Sequence, residues 1–506
     1  MKKIIIIESI LAKPHLETAG EIALRFSNNP TYNSVSFSWI GKDIDFTDWD
    51  FPIFHKLYRY YISKRLKIFL DLLFKNRIRI IPCPDLGSDD LIYIEKCVSI
   101  FSPKNITSLR NYKYKNFYLG RGVASSLISY FQNANPDLLK NINLVKSLLF
   151  SSAVVFERCK RIIEIEKPTT IITFNGRFSI SLPILLLAKK FNIKLLRHER
   201  GSSFNKFEIF TEDIHNPNNQ QKAIVNYWKK RDKNKFKIGR KFFYDRKFNK
   251  KKGLGINLGY SYVKNQKENY LREDIVKLSY NKRLIVYFTS ADHEKQAELY
   301  DVDQQNKFKN FISILSLFKD IHLVIRVHPG KYAKDKIEDL NWNQFSSDNV
   351  SVINSDDKTD TYKLLELADI VVSYGSNIII ESLFWGKKTI LLNNNTVYSK
   401  FNSRIYPNNN KELKKFLRKE YKYKKISKKE CLPYGYYFKT FGTLYKYYKP
   451  KNYFEGSFLG VNLDKKPRIV SIIKNLLPIR IYNFLLLILK KFNLFLIKNF
   501  YLKRFN

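Results

Sequence analysis

Short apolar runs alternate with amphipathic stretches through the first half of the chain. The β-branched run at residues 4–7 predicts a buried strand, and the apolar spacing of residues 17–26 predicts a helix after it. Further predicted strands cover residues 78–81, 169–174 and 193–196, with a predicted helix over 179–190. Strands and helices that alternate at these lengths predict βαβ units on a parallel sheet.

The same alternation resumes later in the chain, after a break. Predicted strands cover residues 284–288, 321–327, 350–353, 370–373 and 389–392, and predicted helices residues 306–318, 361–368 and 378–384. The break at residues 228–252 holds thirteen Lys or Arg against two Asp, which predicts a basic linker. The pattern therefore predicts an α/β fold with two Rossmann-like domains, residues 1–255 and 256–450, that face each other across a cleft.

Residues 451–506 are predicted to form a basic amphipathic helical tail. From Asp464 onward there are ten Lys or Arg and no further acid, and the cations alternate with apolar clusters. This pattern favours a tail that lies on an anionic membrane surface. Helices that pack back on the domains are the alternative. No apolar run reaches ~18 residues, so no spanning helix is predicted.

The charge of the chain is strongly positive. Its 506 residues include 90 Lys or Arg and 46 Asp or Glu, a net charge of +44. Such an excess indicates a polyanionic partner, although a drift toward AT-rich codons would also raise the lysine count. A hydrophobic content of 44% excludes a wholly disordered chain. The four cysteines are scattered without a CxxC pair, which favours a reducing, cytoplasmic location.

Several common cofactor and metal motifs are absent or weak. The glycines at 253, 255 and 259 do not have the spacing of a dinucleotide fingerprint, and there is no Walker A sequence. The Asp-x-Asp pairs at 43/45, 48/50 and 301/303 do not follow clear strands. We therefore predict neither a metal site nor a bound cofactor.

Polar residues that suit a phosphate group follow three predicted strands of the second pattern. In the segment 326–330 (RVHPG), strand periodicity places the first cation and the histidine on one face. The segment 373–377 (SYGSN) leads from a buried strand into a helix start, a favourable place for an anion. Ordinary capping of loops and helices is the alternative. The candidate phosphate-site residues are Arg326, His328, Thr289, Ser290, Ser373, Gly375, Ser376 and Asn377, with Glu381 as an acceptor for ribose hydroxyls.

In the first pattern, polar segments also follow predicted strands. These are residues 14–18 (PHLET), 175–177 (NGR) and 197–201 (RHERG). Glu199 or His198 is a candidate general base toward an acceptor hydroxyl. The other candidates for acceptor contacts are His15, Glu17, Asn175 and Arg177, with structural roles as the alternative for each.

Taken together, these segments resemble the bacterial glycosyltransferases of capsule and surface-polysaccharide biosynthesis that have the GT-B fold. The resemblance implies a nucleotide-sugar donor on the C-terminal domain and metal-independent transfer to an acceptor on the N-terminal domain. The His328-Pro329 pair is similar to one that contacts donor phosphate in transferases that use CMP-linked acidic sugars. Related proteins use UDP-sugars, so the nucleotide stays open.

The predicted function is transfer of a sugar to a surface polysaccharide or lipid-linked glycan at the inner face of the cell membrane. His328 and Glu199 are its predicted catalytic residues, and the partners are a nucleotide-sugar, a glycan or glycolipid acceptor and an anionic membrane surface. A nucleotide-sugar epimerase of the same fold is one alternative. A non-catalytic nucleic-acid-binding protein is another, although no recognition motif supports it, so no nucleic-acid partner is expected.

Overall fold

A computed structural model describes most of the chain. The described residues are 2–10, 14–32, 34–44, 55–213, 215–229, 232–248, 268–291, 304–328, 337–401, 405–422, 427–452 and 456–463, with side chains of 55–63, 337, 338, 400 and 401 left aside. The Asp48-x-Asp50 and Asp301-x-Asp303 pairs, at which no metal site is predicted, lie outside these residues, as do Asp45 and the tail from residue 464.

The strands match the apolar runs of the sequence closely. They are β1 (Lys3–Glu8), β2 (Ser34–Trp39), β3 (Arg79–Ile81), β4 (Thr170–Phe174), β5 (Lys194–Arg200), β6 (Lys206–Phe210), β7 (Arg283–Phe288), β8 (Ile321–Arg326), β9 (Val350–Ile353), β10 (Ile370–Ser373), β11 (Lys388–Leu391), β12 (Thr443–Leu444), β13 (Tyr448–Pro450) and β14 (Gly456–Phe458). Strand β5 extends four residues beyond the prediction, so that it includes His198 and Glu199.

Helices connect these strands. They are α1 (His15–Ser27), α2 (His55–Lys75), α3 (Ser88–Ser99), α4 (Ile106–Arg110), α5 (Gly120–Phe131), α6 (Ile142–Glu166), α7 (Leu182–Lys190), α8 (Pro217–Lys229), α9 (Lys235–Phe248), α10 (Glu273–Asn281), α11 (Gln304–Leu315), α12 (Ile337–Asn343), α13 (Thr361–Leu367), α14 (Ile378–Phe384), α15 (Val397–Phe401), α16 (Asn410–Leu417) and α17 (Lys428–Thr440).

Two sheets with the same strand order form the centres of the fold. In the first, the parallel strands run β3-β2-β1-β4-β5, and the antiparallel β6 and β12 extend that edge. In the second, all five strands are parallel in the order β9-β8-β7-β10-β11. Both orders reverse direction beside the first strand, which is the topological switch point of a Rossmann-like sheet. The predicted α/β class with two Rossmann-like units is confirmed.

Burial on both faces explains the continuous apolar runs. Ile5 and Ile7 of β1 belong to one core cluster, and Ile4 and Ile6 belong to another. In β7, Tyr287 packs in a cluster different from that of its neighbours in the strand. Successive strand residues point to opposite faces, so a strand covered by helices on both sides must be apolar throughout.

The chain divides into two compact units, whose boundaries differ from the predicted ones. One unit runs to Glu212 and includes the described residues from Gly442 onward, whereas the other runs from Asp213 to Phe441, apart from a short undescribed stretch. The predicted boundary at residue 255 lies outside the described residues. Strands β12, β13 and β14, on either side of the predicted end of the second domain at residue 450, pair within the first unit.

The basic segment 228–252 is not a simple linker, because most of it forms the helix α9 of the second unit. Gly239 on α9 and Gly435 on α17 mark the crossing of two tightly packed helices. A Cβ atom at Gly435 would lie 2.4 Å from the carbonyl oxygen of Gly239. The packed face of this helix is apolar, but its residues lie between closely spaced lysines, so the sequence pattern did not predict a helix here. None of the helices within the described ranges is long and apolar enough to cross a membrane.

Candidate functional site

The switch point of the second unit brings two of the predicted polar segments together. Thr289 and Ser290 follow β7, and Gly375 follows the adjacent strand β10. The hydroxyl of Ser290 is buried without a hydrogen-bond partner among the described residues. A Cβ atom at Gly375 would lie 3.9 Å from that hydroxyl. The arrangement leaves a hydroxyl donor beside a residue that has no side chain, which suits the approach of a ligand oxygen.

Two further contacts fix this part of the site. The backbone N–H of His328 donates to Thr289 Oγ1 at 2.8 Å, so the histidine is held beside the end of β7. The backbone N–H of Ser290 donates to the side chain of Gln304 at 3.1 Å. The structure therefore brings His328, Thr289 and Ser290 to the carboxyl-terminal edge of one sheet, as the sequence predicts. Pro329 and Gly330 lie outside the described residues.

Arg326 departs from its predicted role. Its side chain is 1% exposed, and its guanidinium donates to the backbone carbonyls of Asn354 and Asp357, the latter at 3.3 Å. Burial lowers the pKa of Arg326 to about 10, against the opposing effect of nearby aspartates. The guanidinium holds the loop after β9 instead. This geometry does not support contact between Arg326 and a donor phosphate.

The turn after β10 is ordered by one of its own side chains and by two tyrosines from later helices. The backbone N–H of Ser376 donates to Ser373 Oγ at 3.2 Å, and Asn377 Oδ1 accepts from the hydroxyls of Tyr398 and Tyr434. Ser376 and Asn377 are half-buried, whereas Ser373 is fully buried. Ser376 is thus the hydroxyl of this turn that is open to a ligand, while Ser373 shapes the turn.

Glu381 is more deeply buried than the sequence suggests, and both of its carboxylate oxygens accept hydrogen bonds. It is 2% exposed, one carboxylate oxygen accepts from Arg246 Nε at 2.8 Å, and the other accepts from the hydroxyl of Tyr362. An acceptor role toward ribose stays a prediction that competes with these two contacts. Arg246 comes from α9, so the basic segment contributes directly to the surroundings of this carboxylate.

In the first unit, a buried acid–histidine pair lies at the switch point. Glu8 ends β1, and its carboxylate lies 2.7 Å from Nε2 of His198 on β5, with both side chains at most 1% exposed. Burial raises the pKa of Glu8, and the histidine partly opposes this shift. Direct contact between His198 and an acceptor, which the sequence predicted, does not fit this burial. His198 is paired inside the unit instead.

Glu199 has the accessibility that His198 lacks. Adjacent strand residues point to opposite faces, and the side chain of Glu199 is 26% exposed. Its carboxylate accepts from Asn175 Nδ2 at 2.8 Å and from the backbone N–H of Arg200 at 3.0 Å. Asn175 has a positive φ of 51°, which orients its side chain at the end of β4. A held, partly exposed carboxylate can accept a proton from a ligand hydroxyl.

His15 is the second candidate base beside Glu199. Its ring lies 3.8 Å from that of Phe174, centroid to centroid, and its Nδ1 lies 3.9 Å from a carboxylate oxygen of Glu199. Burial lowers the pKa of His15 well below its usual value, and the charges of Arg200 and His198 add to the effect. The imidazole is therefore neutral near pH 7 and able to accept a proton or hydrogen bond.

The neutral state of His15 predicts an acid-sensitive contribution to stability. Because its pKa is lowered in the folded protein, this contribution is present above pH 6.5 and is lost as the pH falls below it. We expect the wild type to lose up to about 1.4 kcal/mol per pH unit more than His15→Gln. Urea unfolding of both proteins at neutral and mildly acidic pH measures the difference. Equal losses would contradict the assignment.

The remaining predicted residues of this unit have partners nearby. Glu17 pairs with Arg65, and both side chains are 3% exposed, so Glu17 has a structural role that competes with an acceptor contact. The guanidinium of Arg177 lies 4.5 Å from the ring of Phe178, and its backbone N–H donates to Asn175 Oδ1 at 3.3 Å. An acceptor contact by Arg177 stays a prediction.

Sequence reasoning missed several residues that shape these sites. The sequence offers one indication for Glu8, because it is an acid that directly follows four isoleucines of a buried strand. Arg246 and Tyr362 had no comparable signal, because their partner is more than 15 residues away in each case. Within the ranges described here, His, Cys, Asp and Glu form no group of three or more that could hold a metal ion.

Comparisons with known proteins give only remote structural likenesses. No family model and no curated protein matches the chain. A putative UDP-N-acetylglucosamine 2-epimerase from Listeria monocytogenes is 13% identical, covers 88% of this chain and 93% of its own, and has a TM-score of 0.27. The beta Kdo 2,4 transferase KpsC from Thermosulfurimonas dismutans is 13% identical, covers 53% and 79%, and has a TM-score of 0.35. At these values the likenesses carry no argument about activity.

Proposed function

We propose that this chain is a nucleotide-sugar-using enzyme, specifically a glycosyltransferase with the GT-B arrangement. The observation that carries the proposal is the switch point of the second unit, where Ser290, Gly375 and His328 lie at the carboxyl ends of parallel strands. Ligands of doubly wound sheets bind at this place. The product is a surface or capsular polysaccharide, or a lipid-linked glycan.

The donor diphosphate or monophosphate would bind at the ends of β7 and β10. The free hydroxyl of Ser290 and the half-buried hydroxyl of Ser376 supply hydrogen-bond donors for phosphate oxygens. His328 would donate to the phosphate oxygen that leaves with the nucleotide and would meet its growing negative charge. We therefore propose transfer without a resident metal or cofactor.

The acceptor would be activated in the first unit. Glu199 is held by Asn175 and by the backbone of Arg200, and it keeps part of its surface open. In the proposed step Glu199 takes the proton of the acceptor hydroxyl, and that oxygen forms a bond to the anomeric carbon. The bond from this carbon to the donor phosphate breaks, and the nucleotide phosphate leaves with the electron pair.

Binding of free nucleotides tests the donor site. We expect one of UDP, CMP and GDP to raise the melting temperature of the full-length protein, because a ligand of the folded state stabilises it. His328→Ala and Ser290→Val should weaken that affinity by roughly tenfold or more, since each removes a hydrogen bond to a charged group. Ser313→Ala, an exposed serine on α11, serves as the matched control.

The outcomes of this titration are distinct. If none of the three nucleotides binds, the proposed function is wrong. If one binds but both variants bind it as well as the wild type does, the nucleotide site lies elsewhere in the chain.

Product analysis separates the transferase from its alternatives. A nucleotide-sugar epimerase changes a lone nucleotide-sugar without an acceptor, whereas a transferase releases the nucleotide only in step with acceptor glycosylation. A nucleic-acid-binding protein would bind generic RNA in a strongly salt-dependent way and would not bind nucleotides. The net charge of +44 is the observation that supports this last alternative.

We also propose that the enzyme works at the inner face of the cell membrane. The basic segment from Asp464 onward, which lies outside the described residues, is the sequence feature that supports this location. Lipid-linked glycan acceptors would be reached at the same surface. Recovery of the full-length protein in the membrane fraction at low salt, and its release at high salt, would test the location.

A further inference from the structure

One face of helix α9 exposes aromatic rings to solvent. Phe236, Tyr244 and Phe248 are 48%, 41% and 59% exposed. They are separated by eight and four residues, and a helix brings residues with this spacing onto one side. The exposed cation Arg240 occupies the remaining place along the same line.

The other face of α9 already accounts for its packing in the second unit. Phe242 and Phe243 are buried, and the ring of Phe243 stacks on Phe384 at 4.0 Å. Gly239 allows close approach to α17. Folding therefore buries one side of the helix. Phe236 also lies 5.2 Å from the ring of Trp228, and Tyr244 lies 6.2 Å from that of Phe384, but both side chains stay more than 40% exposed, which packing in the unit does not require.

Cations are interleaved with the exposed rings. Lys237 and Lys241 are exposed on the same face, and Lys247 lies 5.2 Å from the ring of Phe248. The only acid of the helix, Asp245, lies beside this face and is paired with Lys439 at 2.7 Å. Lys241 also pairs with Asp245 at 3.4 Å, and Lys247 pairs with Glu366 at 2.6 Å. Within the described residues no acid pairs with Lys237 or Arg240, so the face combines apolar area with a surplus of positive charge.

A neighbouring side chain extends the aromatic surface. Trp385 is half-buried, and its ring lies 5.3 Å from that of Tyr244 and 5.9 Å from that of Phe248. Lys247 and Lys428 lie 4.4 Å and 5.8 Å from the same indole. The patch therefore spans the helix and the residue that follows α14.

Charge complementarity selects the occupant of this face. The chain segments that follow α9 and β14 outside the described residues are themselves basic, with no acid at 249–267 and one at 464–506. A second copy of the chain would place like charges together in a two-fold contact. A single convex helix has no groove to track a nucleic-acid backbone. Aromatic rings between lysines are typical of helices that lie in an anionic lipid interface.

We propose that the exposed face of α9 binds the surface of an anionic phospholipid bilayer. Phe236, Tyr244 and Phe248 enter the boundary between headgroups and acyl chains, while the cations meet lipid phosphates. This membrane-binding face is part of the folded second unit and is separate from the predicted tail. It does not depend on the enzymatic activity proposed above.

Vesicle binding by the full-length protein tests the proposal. We expect binding to phosphatidylcholine vesicles that contain phosphatidylglycerol, and little binding to phosphatidylcholine alone. The variant Phe236→Ser/Tyr244→Ser/Phe248→Ser should bind the anionic vesicles about tenfold or more weakly, because it loses the apolar contact. The control variant replaces three other exposed aromatics, Phe74, Phe191 and Tyr280, by serine and should bind as the wild type does.

A fluorescence measurement distinguishes α9 from the tail. Residues 464–506 contain no tryptophan, so insertion of the tail alone would not bring an indole of that segment into lipid. Brominated phosphatidylglycerol should quench wild-type fluorescence. The variant Trp228→Phe/Trp385→Phe should lose most of this quenching, because these two indoles lie 5.2 Å from the ring of Phe236 and 5.3 Å from that of Tyr244. Unchanged vesicle binding by the α9 variant, absent quenching, or salt-sensitive RNA binding without vesicle binding would each overturn the proposal.

Discussion

Replacement of Glu21 by alanine is expected to destabilise the first unit by about 3–5 kcal/mol, because it leaves a buried hydrogen-bonding cluster without its acceptor. Glu21 on α1 is fully buried. One carboxylate oxygen accepts from Arg25 Nε at 2.6 Å and from the backbone N–H of Lys446 at 2.8 Å. The other accepts from the backbone N–H groups of Tyr447 and Tyr448 at 2.6 and 3.0 Å.

The Glu21 carboxylate thus anchors the C-terminal return of the chain to α1. Glu21→Gln should also destabilise the unit, because its amide group would turn a donor toward backbone donors. Urea unfolding gives the free energy, and limited proteolysis near residue 442 should become faster in both variants. Glu164→Ala, which removes an exposed carboxylate 3.6 Å from Lys160, should change stability by less than about 0.5 kcal/mol. A loss below about 1 kcal/mol for Glu21→Ala would contradict this anchoring role.

The second large effect is expected on turnover. Glu199→Gln should lower kcat by roughly a hundredfold to ten-thousandfold, the usual loss when a general base is removed. Asn175 and the backbone N–H of Arg200 donate to different carboxylate oxygens, so the glutamine oxygen keeps one of these two contacts and stability should fall by about 1 kcal/mol. KM for the nucleotide-sugar should change little, because the proposed donor site lies in the second unit. The measurement is steady-state transfer with the donor that the nucleotide titration identifies.

Glu212→Gln is the matched control for Glu199→Gln, since Glu212 is an exposed acid of the same unit. Its kcat should equal that of the wild type. If Glu199→Gln retains full turnover, Glu199 is not the base, and His15 becomes the group to replace next. A fall in nucleotide affinity without a fall in kcat would indicate a role in binding instead.

Local patterns predicted most of the two central sheets. The run of isoleucines at 4–7 became β1, and the apolar run at 321–327 became β8 with one residue fewer. Strands covered on both faces carry this signal strongly, because every residue must be apolar. Strand β2, with its alternating serines, and helix α9, with its dense lysines, carried a weaker signal and were not predicted.

Local patterns predicted less of the candidate site. The turn after β10 and the hydroxyls after β7 were identified because parallel strands end at the same edge of the sheet. The contacts of the Arg326 and His198 side chains were not predicted. A side chain that follows a strand can bury its polar end against a distant loop or strand, and strand periodicity does not show this. Arg326 reaches the carbonyl of Asn354, and His198 reaches Glu8.

The sequence alone determined the α/β class, the polar character of the strand ends, and the basic charge. Each of these depends only on the type of residue and on the spacing of residues close together in the chain. Only the tertiary structure decided that Glu8 pairs with His198, that Arg246 holds Glu381, and that α9 turns three aromatic rings outward. The two side-chain pairings join residues more than 100 positions apart. Such contacts follow from strand order and helix packing, which residue spacing along the chain does not specify.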